Sequence, residues 1–134
     1  MRTSEEERLV RAFYDEAWNR WDDGVVDRLL APDFRFRGSL GDEIVGRAQW
    51  RTYRDRIRQA VPDFHNEIME LVTAPARAAV RLNFSGHHTG VLLGRQGHGA
   101  AIAYAGAAFF RCGGGLLTSA WVLGDLDGLR RQLP

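Results

Sequence analysis

The groups able to move a proton or hold an oxyanion are few in this chain and far apart in sequence. Asp125 lies in WVLGDLDGLRRQL, directly after an apolar run that reads as a buried strand. Two roles fit it. If the strand stays regular, Leu117, Ser119, Trp121, Leu123 and Asp125 share one face, and the carboxyl joins a largely apolar wall. Partial burial then raises its pKa from an ordinary carboxyl value of ~3.9 toward the range useful for proton transfer near neutrality. Alternatively Asp125 opens a short C-terminal helix and caps its free backbone N–H groups, contributing roughly 1 kcal/mol, a task that Asp127 could also take. Tyr14, in FYDEAW, offers a phenol to a developing enolate oxygen, or is a core aromatic at helical spacing. His87 and His88 in SGHHTG end a strand, where alternation turns only one of them inward.

Other chemistries are excluded or disfavoured by what surrounds these groups. All 18 basic residues are arginine, so Schiff-base catalysis and a Walker-type phosphate loop lack the amine they need. Adjacent histidines on opposite strand faces cannot easily share one metal ion, and no helical His-x-x-x-His or cysteine pair completes a set of ligands. A metal site is therefore disfavoured. Cys112 reads as an ordinary thiol with no base nearby in sequence, and Gly113-Gly114-Gly115 as a hairpin turn, since no helix follows it.

The elements that must position these residues follow from periodicity. Ser4 and Glu7 form a capping box ahead of Leu9, Phe13 and Ala17, with Val10, Tyr14, Trp18 and Trp21 beside them, which predicts a long amphipathic first helix. VVDRLL predicts a short second helix ending near Ala31-Pro32, before a first strand at Phe34 to Arg37. In AQWRTYRDRIRQAV, Trp50, Tyr53, Ile57 and Val61 share a helical face, giving a third helix that stops at Pro62. Arg47, Arg51, Arg54, Arg56 and Arg58 are then its solvated face rather than a phosphate track.

Downstream, FHNEIMELVTA, RAAVRLNFSGHH, HGAAIAYAGAAFFR and GLLTSAWVLG read as strands. The loop from Thr89 to Gly97 separates two of them. Helices first and antiparallel strands afterwards predict an α+β fold, a curved sheet wrapped around about three N-terminal helices with a pocket between the layers. Ala101, Ala103, Ala105 and Ala107 line one face of a strand, which lets a helix pack closely or leaves volume for a bulky ligand. Arg81, Asn83 and Ser85 alternate with Val80, Leu82 and Phe84. That polar face meets solvent, a dimer partner or the pocket.

The order of these segments resembles the SnoaL-like polyketide cyclase family, within the superfamily of cone-shaped folds that includes ketosteroid isomerase. RAFYDEAWNRWD followed by VVDRLLAPDFRFRG is similar to that family's opening. AVPDF, AAVRLNFSGHHTG, FFRCGGGLLTSAW and GDLDGLRRQL are similar to its later segments, in the same order. The resemblance implies intramolecular aldol ring closure without metal or cofactor, with an aspartate near the end of the last strand as acid/base. By position that residue is Asp125. Members also place a histidine on the neighbouring strand, which AAIAYAGAAFF lacks unless His98 reaches inward.

The resulting expectation is a single SnoaL-like domain over 1–134, a cyclase or close relative acting on a polycyclic aromatic ketone or ester. Asp125, His88 and Tyr14 are the candidate catalytic residues, and Trp18, Trp50, Phe84, Tyr104 and Trp121 the candidate walls of the ligand site. An isomerase, a hydroxylase-type enzyme or a non-catalytic holder of a hydrophobic ligand are the alternatives on the same fold. The net charge of +1 offers no field for nucleic acid or an anionic membrane. The acidic start MRTSEEERLV is unlike a secretory signal, so the cytoplasm is expected. Homodimerisation through the outer sheet face is implied by the resemblance alone.

Overall fold

A computed structural model describes residues 3–134; of the domain expected over 1–134, Met1 and Arg2 lie outside the described residues. The first helix, α1 (Glu5–Ala12), starts as its sequence predicts. Ser4 Oγ accepts the Glu7 N–H at 3.1 Å, and Glu5, Glu6 and Glu7 sit on the positive end of the helix dipole. The helix then widens into a π-helical turn, Phe13–Trp18, whose end is marked by the Asn19 N–H bonding to the Tyr14 carbonyl at 2.9 Å. Phe13, Tyr14, Ala17 and Trp18 are all buried there.

A 3-10 turn, Asp23–Val25, leads into the single turn α2 (Val26–Leu29). The first strand, β1 (Leu30–Arg37), begins four residues earlier than the proline suggests. Its ladder skips from Leu30 to Arg35, so Pro32, which has no N–H to give, falls in the gap. After β2 (Glu43–Val45) comes α3 (Arg47–Ala60), with Trp50, Tyr53 and Ile57 buried as their spacing predicts.

One arginine of α3 departs from expectation. Arg54 is not on a solvated face: it is 2 % exposed, stacks on Trp50, donates to the Ala17 carbonyl, and pairs with Asp23 and Asp55. The guanidinium has five N–H donors in a plane, which lets it satisfy several acceptors at once where a helix face alone predicts solvent.

The remaining strands are β3 (His65–Ala74), β4 (Arg77–His88), the small hairpin β5 (Val91–Leu92) and β6 (Arg95–Gln96), β7 (Ala100–Gly113) and β8 (Leu116–Gly124), closed by α4 (Leu126–Arg130). The main sheet runs β2-β1-β8-β7-β4-β3. It is mixed rather than purely antiparallel, because β1 lies parallel to β8, the partner farthest from it in sequence. Together the helices and curved sheet enclose a core in which the Phe13 ring lies 5.2–6.5 Å from those of Tyr14, Phe34, Phe36, Trp50 and Phe110.

Candidate functional site in the interior of the cone

The interior is built by the π turn, α3, the β1–β2 turn and four strands of the sheet. The π turn supplies Tyr14 and Trp18, α3 supplies Tyr53 and Ile57, the β1–β2 turn supplies Ser39, and the strands supply Phe36, Asn66, Phe84 and Val122. What they leave between them is a cavity of about 20 Å³, on the order of the room one water molecule needs. The aromatic walls therefore fill the cone rather than line an open pocket.

Within this packing, polar atoms are sparse and placed at two levels. At one, the Ser39 and Tyr104 hydroxyls lie 3.1 Å apart, fully enclosed. Burial pushes the Tyr104 phenol up to about 12, partly offset by its hydrogen bond to Ser39. Tyr53 stands beside them, its phenol raised by burial and by neighbouring Tyr104, with hydrogen bonds from the Leu40 backbone and Ser39 acting the other way. At the other level, the Tyr14 hydroxyl has no hydrogen-bond partner, and burial raises its pKa far above the ordinary phenol value. All three phenols are neutral donors at physiological pH. They can polarise a carbonyl or hold an enolate oxygen, but they are not bases there.

Asn66 completes the wall. Its backbone N–H and side-chain amide both reach Asn19 Oδ1, at 2.8 and 3.1 Å, and Asn19 in turn donates to the Asn66 carbonyl. This reciprocal pairing ties the end of the π turn to β3.

The candidate residues are brought together only in part. Tyr14, Trp18 and Phe84 border the cavity, and Tyr104 reaches it through Ser39. Trp50 is buried one layer behind, its ring 5.5 Å from that of Trp18. His88 is buried at 1 % exposure, yet its Nε2–H donates to the Arg95 carbonyl at 3.0 Å and its ring packs on Gly97. It fastens the β5–β6 hairpin and does not border the cavity. His98, the other histidine considered, is exposed.

Trp121 and Asp125 require a correction of orientation. Cys112 pairs with Leu117 but Arg111 pairs with Ser119, so Thr118 is an extra residue in β8 and reverses which side chains face inward. Leu117 is inside, and from there on Ala120 and Val122 are inside instead of Trp121 and Leu123. Trp121 is 45 % exposed on the outer face, under the Arg37 guanidinium at 5.0 Å and beside the Phe109 ring at 6.2 Å. Asp125 is exposed and caps α4, its Oδ1 accepting the Gly128 N–H at 2.9 Å. It is nevertheless next in the chain to Gly124, where a Cβ would stand 3.1 Å from both Ser39 Cβ and Tyr104 Cε2.

The alanine row also faces outward. Ala101, Ala103 and Ala105 are exposed, whereas Ile102, Tyr104 and Ala108 point in. There the last segment of the chain uses the smallness of the row: Gln132 exchanges two hydrogen bonds with Ala103, at 2.9 and 2.7 Å, standing in for the strand partner that β7 lacks beyond Gly106. Around Trp121 the outer face carries two open grooves of about 490 and 540 Å³, one against Val72 and Phe109, the other against Arg35, Ile44 and Val45.

Sequence reading missed Ser39 and Tyr53 as site residues. Ser39 lies in a glycine-rich turn without periodicity, and Tyr53 lies on a helical face where its hydroxyl is indistinguishable from an apolar tip. Cys112 is half-buried, its thiol pushed up by burial and by Glu6 and Glu5, in keeping with an unreactive role. Among the described residues no three His, Cys, Asp or Glu side chains converge as metal ligands, and no helix is long and apolar enough to cross a membrane.

Comparison with known proteins agrees with this architecture. A family model described as SnoaL-like polyketide cyclase matches residues 8–133. Among solved structures, TsrD from Streptomyces laurentii is 26 % identical, with a TM-score of 0.84 over 98 % of this chain and 96 % of its own. A SnoaL-like polyketide cyclase from Agrobacterium tumefaciens is 17 % identical, with a TM-score of 0.82 over 98 % of each chain. A Catenulispora acidiphila protein with a ketosteroid isomerase-like fold, solved with trimethylamine, is 21 % identical, with a TM-score of 0.78 over 92 % of this chain and 90 % of its own. No curated protein matches the chain.

Proposed function

The chain belongs to the SnoaL-like polyketide cyclase family, and from that premise we propose that it closes a ring in a polycyclic aromatic ketone or ester by proton transfer at carbon, without metal or cofactor. One observation carries the reading: an enclosed pair of hydroxyls, Ser39 and Tyr104, abuts Gly124, the residue that precedes Asp125. The donors to an enolate oxygen thus lie beside the end of the last strand, one residue before Asp125, whose exposed carboxylate must turn from its place on α4 to take a carbon-bound proton.

In this reading Asp125 leaves the Gly128 N–H, takes the proton from a carbon between two carbonyls, and the enolate oxygen is held by Ser39 and Tyr104. The enolate carbon attacks a ketone or aldehyde carbon of the same molecule, forming the new C–C bond. The resulting alkoxide receives the proton back from Asp125. Tyr14 meets a second ligand oxygen, while Trp18 and Phe84 stack on the rings. Because the resting cavity holds about 20 Å³, ligand entry is coupled to opening of the walls. The protein works in the cytoplasm as a homodimer whose interface is the outer sheet face around Phe109 and Trp121.

The exposure and capping bond of Asp125 favour a second reading, in which the chain holds an aromatic ligand without converting it. Asp125→Asn separates the two. Asparagine caps a helix about as well as aspartate, so α4 persists, while the basicity is gone. A general base predicts a fall in turnover of at least ~10²-fold with the fold intact; a ligand holder predicts no change beyond affinity.

A further inference from the structure

A second hollow lies directly outside the first. On the surface between α3, the β1–β2 turn and the β5–β6 hairpin is a cleft of about 160 Å³, and two of its lining residues, Tyr53 and Ile57, also line the interior cavity. A single layer of side chains separates the two spaces. Tyr53 is 3 % exposed and Ile57 7 %, so the layer is closed.

Three features bear on how that layer is held. Gly38 lies so close that a Cβ there would overlap the Tyr53 hydroxyl, so the β1–β2 turn seats directly on the ring. From the other side, Arg56 lies over the same ring at 5.9 Å and pairs with Asp42 of that turn at 2.8 Å. Across the cleft, the hairpin turns at Leu93 and Gly94, with φ of 49° and 76°, the first uncommon for leucine. Tyr53 is therefore fixed by a turn that is tied to α3 by the half-exposed Arg56–Asp42 pair and by the phenol's own hydrogen bonds with the Leu40 backbone and Ser39. Inward of the layer, the unpartnered Tyr14 hydroxyl borders the cavity, a donor for an oxygen arriving from outside.

The geometry points to a gated passage: the surface cleft is the vestibule of the interior site, the Tyr53–Ile57 layer is its gate, and the Arg56–Asp42 pair is the latch that keeps the gate closed. The occupant is a flat aromatic molecule bearing an oxygen for Tyr14; this part rests on the reading of the interior as an aromatic ketone or ester site. Releasing the latch lets the turn move off Tyr53, and the two spaces join.

Acrylamide quenching of tryptophan fluorescence tests the gate without any ligand. In a Trp21→Phe/Trp121→Phe background the remaining emitters are Trp18, on the cavity wall, and Trp50, behind it. Ile57→Ala, or the milder Ile57→Val where the first does not fold, breaches the shared layer. Phe84→Leu enlarges the cavity from the sheet side, away from the cleft. The expected result is at least about a threefold rise in quenching rate for Ile57→Ala and little change for Phe84→Leu, since only the first opens a local path to solvent. Arg56→Gln, exposed and harmless to folding, raises the rate by about twofold, in keeping with the modest strength of a surface pair.

Equal rises for Ile57→Ala and Phe84→Leu, or none for Ile57→Ala and Arg56→Gln, overturn the gate. A stopped-flow measurement with 2-acetylanthracene, a fluorescent flat aromatic ketone, then separates gate from ligand. Faster association in Arg56→Gln supports both. The quenching pattern without probe binding retains the gate and removes the aromatic-ligand reading. Binding at one rate in every variant removes the gate and retains that reading.

Discussion

The two faces of the sheet use the same residue types to opposite ends. Inside, Phe13, Tyr14, Trp18, Trp50 and Phe110 pack until about 20 Å³ is left. Outside, Phe109 and Trp121 stand 57 % and 45 % exposed among Arg35, Arg37 and Arg111, flanked by grooves of about 490 and 540 Å³. Open volume and chemical capability are thus separated. The grooves hold no enclosed hydroxyl pair, whereas the interior holds Ser39, Tyr53, Tyr104 and Tyr14 and little space. An apolar, arginine-rimmed surface suits contact with another protein surface, and an enclosed interior with a few aimed donors suits an oxyanion.

The sharpest contrast between the faces is energetic. Phe13→Ala, at full burial, should cost about 3–5 kcal/mol in urea unfolding, and Phe109→Ala should leave the unfolding of the isolated chain nearly unchanged. Comparable losses would mean that the outer face is core by another name. Next in size is association. Trp121→Ala should weaken dimerisation by at least about 2 kcal/mol if the outer face is the interface, read by sedimentation as a shift to monomer; unchanged association would move the interface elsewhere.

Tyr14→Phe sharpens the comparison from the inside. Removing a buried hydroxyl without a partner should leave stability equal or raise it by about 1 kcal/mol, because its desolvation is no longer uncompensated. Turnover should fall at the same time. A stability loss instead would show that the hydroxyl is held by the fold and not kept for a ligand.

The smallest effect concerns an exposed pair. Asp63 accepts from the His87 backbone N–H at 2.7 Å, and its carboxylate meets the His87 ring at 2.6 Å, which holds the Asp63 carboxyl below its usual range. A depressed carboxyl stabilises the fold above its unfolded pKa of ~3.9, and that contribution is lost as pH falls through the lower folded value. With both side chains more than half exposed, Asp63→Asn should cost less than about 1 kcal/mol at pH 7. A thermal melt against pH checks this: wild type and variant should converge in acid and separate above pH ~4.

What the sequence made legible was whatever depends on local period. The α3 face of Trp50, Tyr53 and Ile57 and the Ser4 cap follow from spacing and side-chain chemistry, and the succession of helices before strands led to the observed α+β layers. Features that depend on a single inserted residue were not legible. The extra residue at Thr118 turns Trp121 and Leu123 outward, and no pattern of apolar residues announces a bulge. The π turn likewise alters the register of FYDEAW without changing its composition. The parallel β1–β8 pairing joins segments about as distant as the chain allows, where no turn signal exists to read. The hydroxyl site suffers both limits, since Ser39 sits in an aperiodic turn and its partner Tyr104 comes from a strand 65 positions away.

The central claim is that chemistry occurs where the interior hydroxyls meet the end of β8. Ring closure of an anthracycline-type polyketide methyl ester, followed by absorbance and product mass for wild type, Asp125→Asn and Tyr104→Phe, tests it most directly. The account predicts turnover by the wild type and a loss of at least ~10²-fold in Asp125→Asn, with a lesser loss in Tyr104→Phe and melting temperatures preserved. Full turnover by folded Asp125→Asn would contradict it and leave Asp125 a helix cap alone.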